Sequence, residues 1–372
     1  MSYSARYQEL AAELTDRQAK EISPSGICVN YLPFQSSTPQ EEDEVKVSRF
    51  LNERVHENQQ FDYPVFYNRK KPVQDEAIIL LHGLNERSWN KYYTWAEALC
   101  ERTGKAVILF PIAYHVNRSP AAWLDPRELS PLLQQRKLRN GYDRLLSVAN
   151  VTLSERLSEQ PIRFFTSGLQ TYKDLVKLYT EISDGRIPFF KENCRIDVFA
   201  YSIGAFLAQI LFLSEETLFS ASRLFMFCGG SIFSAMYGGS RSIMDSTSYH
   251  KLYDYYLKDF SLEEAGRITG TKLARIFHSM IAPFHLTDYR LQLFQAMSDR
   301  IGGVSLQRDS VIPYSGVQEA MGNELAGKLV QLLDFPYGYC HENPFPIVKE
   351  NTEEVDRAFS KIFNLASGFL AC

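Results

Sequence analysis

Two kinds of hydrophobic pattern alternate along this chain. Short continuous apolar runs recur at 77–81 (AIILL), 106–112 (AVILFPI), 195–201 (RIDVFAY) and 223–229 (RLFMFCG). Runs of this length, rich in branched and aromatic residues, predict strands buried on both faces. Segment 61–68 (FDYPVFYN) alternates like a half-buried strand, and 302–307 (GGVSLQ) and 329–335 (LVQLLDF) predict two more. Helical spacing appears at 91–102, closed by Gly104 where a left-handed cap is wanted, and again at 172–182. Helices are also predicted over residues 1–22, around Leu10 and Leu14, and over 352–365, around Val355, Phe359, Ile362 and Phe363. Strands alternating with helices predict an α/β fold: a mostly parallel sheet with helices on both faces.

Two intervals are too long for plain loops. One spans 113–170. The other spans 231–301 and is dense in Tyr and Phe. Both begin at the C-terminal ends of predicted strands, where open α/β sheets carry their sites. The expected organisation is an N-terminal extension (1–60) and an α/β domain (61–372), with the two intervals inserted as a cap. The polar stretch 35–60 reads as a surface connection with a short helix. Segment 198–214 (VFAYSIGAFLAQILFLS) carries no charge, yet it is shorter than the roughly 20 residues a spanning helix needs. It reads as a buried strand running into a buried helix, so no membrane span is expected.

Composition narrows the function further. The chain has 372 residues, 45% hydrophobic and 23% charged, which suits a folded globular domain. Its net charge of −4 offers no broad positive field for nucleic acid or anionic lipid. The six cysteines form no CxxC pair, and the seven histidines show no metal-ligand spacing. No phosphate-binding or dinucleotide-binding glycine motif occurs, so no metal or cofactor is expected. The N-terminus lacks an apolar signal core, which leaves the cytoplasm as the expected location. Cys340 reads as a small filler ending a buried strand, not as a reactive thiol.

The chemistry centres on Ala200-Tyr201-Ser202-Ile203-Gly204, between a predicted strand and a predicted helix. A serine on such a sharp turn projects its hydroxyl above the sheet, with a helix N-terminus behind it. Small residues at 200 and 204 meet the steric demand of the reversal. A serine nucleophile needs a base, and the base needs an orienting carboxylate. His341, in the loop YGYCHENPFP after the last predicted strand, is the best-placed base; His250, His278 and His285 fall in the aromatic interval. Asp309, in VSLQRDSVIP, follows the preceding strand and is the acid, ahead of Asp299 and Asp334.

These features together resemble the α/β-hydrolase superfamily. AIILLHG (77–83) is similar to that family's third strand and oxyanion motif, about 120 residues before the serine. The resemblance implies eight nominal strands and a catalytic order Ser202, Asp309, His341. It also implies an oxyanion hole from the backbone N–H groups of Leu84 and Ile203. Asn85 is a candidate side-chain contribution to that hole, and His115 and Tyr201 are candidate substrate contacts. The segment HGLNERSW has no further glycines, unlike the Gly-rich esterase subgroup. The implied activity is hydrolysis of a small-molecule carboxylic ester through an acyl-enzyme. A serine peptidase, an acyltransferase or a catalytically silent binding module remain open.

Overall fold

The computed structural model describes residues 2–15, 18–22, 26–36, 55–215 and 217–371. Most of the 35–60 connection therefore lies outside the described residues. Among the described residues nine strands form one sheet: β1 (Lys20–Glu21), β2 (Ile27–Gln35), β3 (Gln60–Asn68), β4 (Gln74–Leu81), β5 (Ala106–Leu109), β6 (Phe190–Tyr201), β7 (Leu224–Phe227), β8 (Ile301–Leu306) and β9 (Val330–Leu333). Their spatial order is β1-β2-β3-β5-β4-β6-β7-β8-β9. The six strands from β5 to β9 run parallel, and β1, β2 and β3 close one edge antiparallel. This corrects the expected eight strands. The unassigned β2 (ICVNYLPFQ) has an alternation broken by Asn30 and Pro33, and it is held by a full antiparallel ladder to β3.

Among the described residues the helices longer than four residues are α1 (Tyr3–Glu13), α2 (Asn90–Thr103), α3 (Pro126–Asn140), α4 (Val151–Glu159), α5 (Ile162–Ser183), α6 (Ile203–Ser214), α7 (Ser246–Asp254), α8 (Leu262–Thr269), α9 (Thr271–Ser279), α10 (Thr287–Ala296), α11 (Tyr314–Met321), α12 (Asn323–Leu329) and α13 (Thr352–Leu370). Successive side chains of a strand point to opposite faces, and the core divides accordingly. Ile79 and Leu81 of β4 and Val198 and Ala200 of β6 pack with α5 and α6. Ile78, Leu80, Phe199 and Tyr201 pack with α1, α2 and α13. Helix α2 ends as its sequence requires: Gly104 takes φ 70° and returns its N–H to Cys100 O. No helix among the described residues is long and apolar enough to cross a membrane.

Interval 113–170 holds α3, α4 and the first turns of α5, which starts ten residues ahead of the predicted 172–182 helix. Interval 231–301 holds α7 to α10. The two intervals are bonded to one another. Arg136 of α3 reaches Asp245 Oδ1 at 2.8 Å and Glu155 of α4 at 2.8 Å. Asn150 donates to Ser240 O at 2.8 Å.

Candidate active site

The strand β6 delivers Ser202 to a turn that only a tight local geometry permits. Ser202 sits at φ 59°, ψ −125°, a region non-glycine residues avoid. Helix α6 starts at the next residue. A Cβ on Gly204 would lie 2.7 Å from His82 O and 2.9 Å from Leu81 Cβ, so the reversal requires glycine there. Ser202 itself is 4% exposed, at the floor of a cleft.

The loops after β8 and β9 bring two further groups to it. Ser202 Oγ lies 2.6 Å from His341 Nε2, and His341 Nδ1 lies 2.7 Å from Asp309 Oδ2. A carboxylate can only accept, so the His341 proton is on Nδ1 and the Nε2 lone pair faces the serine hydroxyl. The other oxygen of Asp309 accepts from the N–H groups of Val311 (3.0 Å) and Ile312 (2.8 Å). The Cys228 thiol also lies against this carboxylate; burial, then the charge of Asp309, pushes its pKa well up. The serine, the histidine and the aspartate are thus within one hydrogen-bonded chain, as their chain order suggested. The competing Asp334 is bonded instead to Arg308 and Tyr339.

The backbone N–H groups of Leu84 and Ile203 have no acceptor among the described residues, and both residues line the cleft with Ser202. The loop carrying Leu84 is pinned by His82. Its Nε2 accepts from Ile112 N–H at 2.9 Å, so its Nδ1 carries the proton donated to Gly83 O at 2.7 Å. Burial, reinforced by His115, lowers the pKa of His82 and keeps it neutral.

Three sequence expectations are placed differently. Both hydrogens of the Asn85 amide are used, on Ala149 O (2.9 Å) and Ser242 O (2.6 Å), so Asn85 stitches the two insertions together and is not aimed at an oxyanion. Tyr201 does not line the cleft. It alternates with Ala200 on a pleated strand and therefore faces the opposite layer, where Trp95 and Tyr92 meet its ring edge-on, and its hydroxyl donates to His341 O. Cys340 is exposed, not a buried filler, because β9 ends at Leu333 and Cys340 falls in the following turn. His115, by contrast, does line the cleft.

Sequence reading missed Lys91. Its ammonium donates to Glu342 O at 3.1 Å, pairs with Glu86, and lies 4.8 Å from the Tyr201 ring. It therefore ties the histidine loop to the loop of Leu84. A lysine at the first turn of a helix, where a cation opposes the dipole, was the available signal.

The cleft has two apolar lobes joined at Leu84, Phe164 and Ile203. The lobe at Ser202 is walled by Phe233, Met244, Tyr253, Val311 and Ile312. The other lies between α5, α6 and α9 and encloses about 650 Å³, part of it open to solvent.

The sequence profile of a family of unknown function (DUF6051) matches residues 1–371. The chain belongs to that family. No curated protein matches this DUF6051 chain. Its fold is the α/β-hydrolase fold. A solved mutant of the esterase rPPE is 13% identical, with a TM-score of 0.50 over 98% of this chain and 90% of that one. Esterase LipW from Mycobacterium marinum is 11% identical, with a TM-score of 0.47 over 98% and 87%. At 13% identity the likeness to rPPE speaks for the fold alone.

Proposed function

We propose that the protein is a serine hydrolase that cleaves carboxylic esters through an acyl-enzyme on Ser202. The observation that carries this reading is the continuous chain Ser202 Oγ–His341 Nε2, His341 Nδ1–Asp309 Oδ2 at 2.6 and 2.7 Å. In the proposed reaction His341 Nε2 takes the hydroxyl proton as Oγ attacks the ester carbonyl. Asp309 stabilises the imidazolium that forms. The tetrahedral oxyanion takes the N–H groups of Leu84 and Ile203, which are worth several kcal/mol in a dry site. The C–O bond breaks and His341 gives its proton to the leaving alcohol. A water deprotonated by His341 then attacks the acyl carbonyl, the acyl C–O bond to Ser202 breaks, and His341 returns the proton to Ser202 Oγ as the acid leaves. We assign the insertions 113–170 and 231–301 to a cap over this site, and His115 to substrate contact. The apolar lining favours an ester with apolar arms over a peptide, whose amides would be left unpaired there.

The test is labelling of the purified protein by a fluorophosphonate, which reacts only with a serine activated by a base and an oxyanion hole. One equivalent is expected on the peptide holding Ser202, and none in Ser202→Ala. Well-folded protein that resists probes of several sizes would make it a silent binding module. Hydrolysis of a p-nitrophenyl ester series, run beside short peptide amides, separates esterase from peptidase.

A further inference from the structure

The cleft divides at the groups assigned to the oxyanion. Leu84 and Ile203 line both lobes, so a carbonyl held by their N–H groups has a lobe on either hand. The two hands differ. The lobe containing Ser202 is also lined by Val311 and Ile312, whose N–H groups hold the Asp309 carboxylate that bonds His341. It is the lobe on the side of the base. The other lobe is walled by Phe206 and Ile210 of α6, Phe277 of α9 and the first turns of α5.

On that wall α5 carries a residue out of keeping with a helix. Gly168 lies well inside the 22 residues of α5. Only proline is a poorer helix former, and glycine inside a helix calls for a reason in the backbone or in a close neighbour. Neither applies here. Gly168 does not take the positive φ of Gly104 or Gly230, and a Cβ placed on it would meet no heavy atom within 4 Å. Phe164, Phe165 and Tyr172 lie four and three residues before it and four after it, so they share its face of the helix, and all three line the lobe with it. A side chain at 168 would therefore enter the lobe. The glycine keeps that space open.

We infer that this lobe takes the acyl arm of the ester, that Gly168 sets the length it admits, and that the alcohol arm takes the lobe of Val311 and Ile312. The assignment rests on the proposed acyl-enzyme reading. In that reaction the bond from the carbonyl carbon to the alcohol oxygen breaks and His341 Nε2 gives that oxygen its proton. The leaving oxygen must face His341, so its arm runs into the lobe on the side of the base. The acyl carbon stays on Ser202 with its oxygen at the Leu84 and Ile203 N–H groups, and its chain has the lobe beyond them. The substrate class is then an ester of a carboxylic acid with a medium-length apolar chain, since an acetyl group would leave the lobe unfilled. Each methylene buried there in the transition state should raise kcat/KM about fourfold until the lobe is full.

The experiment measures kcat/KM along p-nitrophenyl esters from acetate to decanoate for wild type, Gly168→Ala and Gly168→Leu. Calorimetric titration with octanamide, in a Ser202→Ala background, reads the lobe without turnover. Wild type should prefer octanoate to acetate by at least about tenfold. Gly168→Leu should lower that ratio about tenfold, move the optimum to shorter chains and weaken octanamide binding by a similar factor. Gly168→Ala should raise the melting temperature and lower the ratio by a smaller factor; it carries the test if the leucine variant does not fold. An unchanged ratio in both variants overturns the role of Gly168. A change of preference along alkyl acetates, where only the alcohol lengthens, would reverse the two arms and overturn the assignment. Octanamide that does not bind overturns the lobe itself. Octanamide that binds and is weakened by Gly168→Leu, while wild type cleaves no ester, would remove the esterase reading and leave the lobe as a site for an apolar chain.

Discussion

At the scale of single residues, the protein keeps two imidazoles neutral by burying them next to its site, and this has a cost at low pH. The His115 pKa falls from 6.5 to about 4, first through burial, with Arg118 and Arg156 adding to it. The unfolded chain therefore binds a proton that the folded chain refuses between those two values. Stability is fully present above about 6.5 and is lost as pH falls toward 4, by on the order of 3 kcal/mol for this residue. His82 acts in the same direction. Denaturant titrations at pH 7.5 and 5.0 should show wild type losing stability on acidification and His115→Leu losing distinctly less. An identical loss in both would mean that His115 is solvated in the folded protein. The meeting of Ser202, His341 and Asp309 was legible for a simple reason: a serine between an apolar strand and an apolar helix, and loops that follow strands, are local signals. Where Asn85 and Tyr201 point was not legible, because it depends on partners such as Ser242 and His341 that lie more than a hundred positions away.

At the scale of elements, the strands of the parallel sheet were readable because burial on both faces leaves continuous apolar runs. The edge was not. Strand β2 mixes buried and half-exposed positions and contains a proline, so it owes its form to pairing with β3. Helix α5 was read short because its first turns, with Phe164 and Phe165, fall inside the interval 113–170 that was read as an insertion. Helix α2 carries a duty that no pattern announces. From its first turn Lys91 holds Glu342 O and Glu86, so two loops from opposite ends of the chain share one cation. Removing it in Lys91→Met should lower kcat on an ester by about tenfold with little change in KM, since small misplacements of a base weigh heavily on the reacting geometry. The rate of fluorophosphonate labelling should fall in parallel. A variant with wild-type kcat would reduce Lys91 to a surface contact.

At the scale of the whole molecule, the aromatic wealth of 231–301 divides into two uses. Tyr253 faces the lobe that contains Ser202. Tyr256 is fully buried, bonds Phe165 N–H at 3.0 Å, and packs on Phe260 and Phe277. Tyr253→Ala should change the preferred ester chain length while leaving the melting temperature near wild type. Tyr256→Ala should cost about 3 kcal/mol of stability through the cavity it opens. Equal chain-length profiles for wild type and Tyr253→Ala would take this insertion out of substrate recognition. Composition revealed the aromatics but not this division, which follows from which face of the insertion meets α5. The meeting of Ser202 with a histidine 139 positions further on sets a schedule as well as a geometry. While the chain is being synthesised, the serine turn and the loop of Leu84 can form long before β9 and the turn that follows it have been added. On the proposed reading the hydroxyl would until then have no base, and a nascent or C-terminally clipped chain would be inert toward esters. In the proposed enzyme, activity would therefore report the arrival of the last strand, a built-in indicator of completed folding.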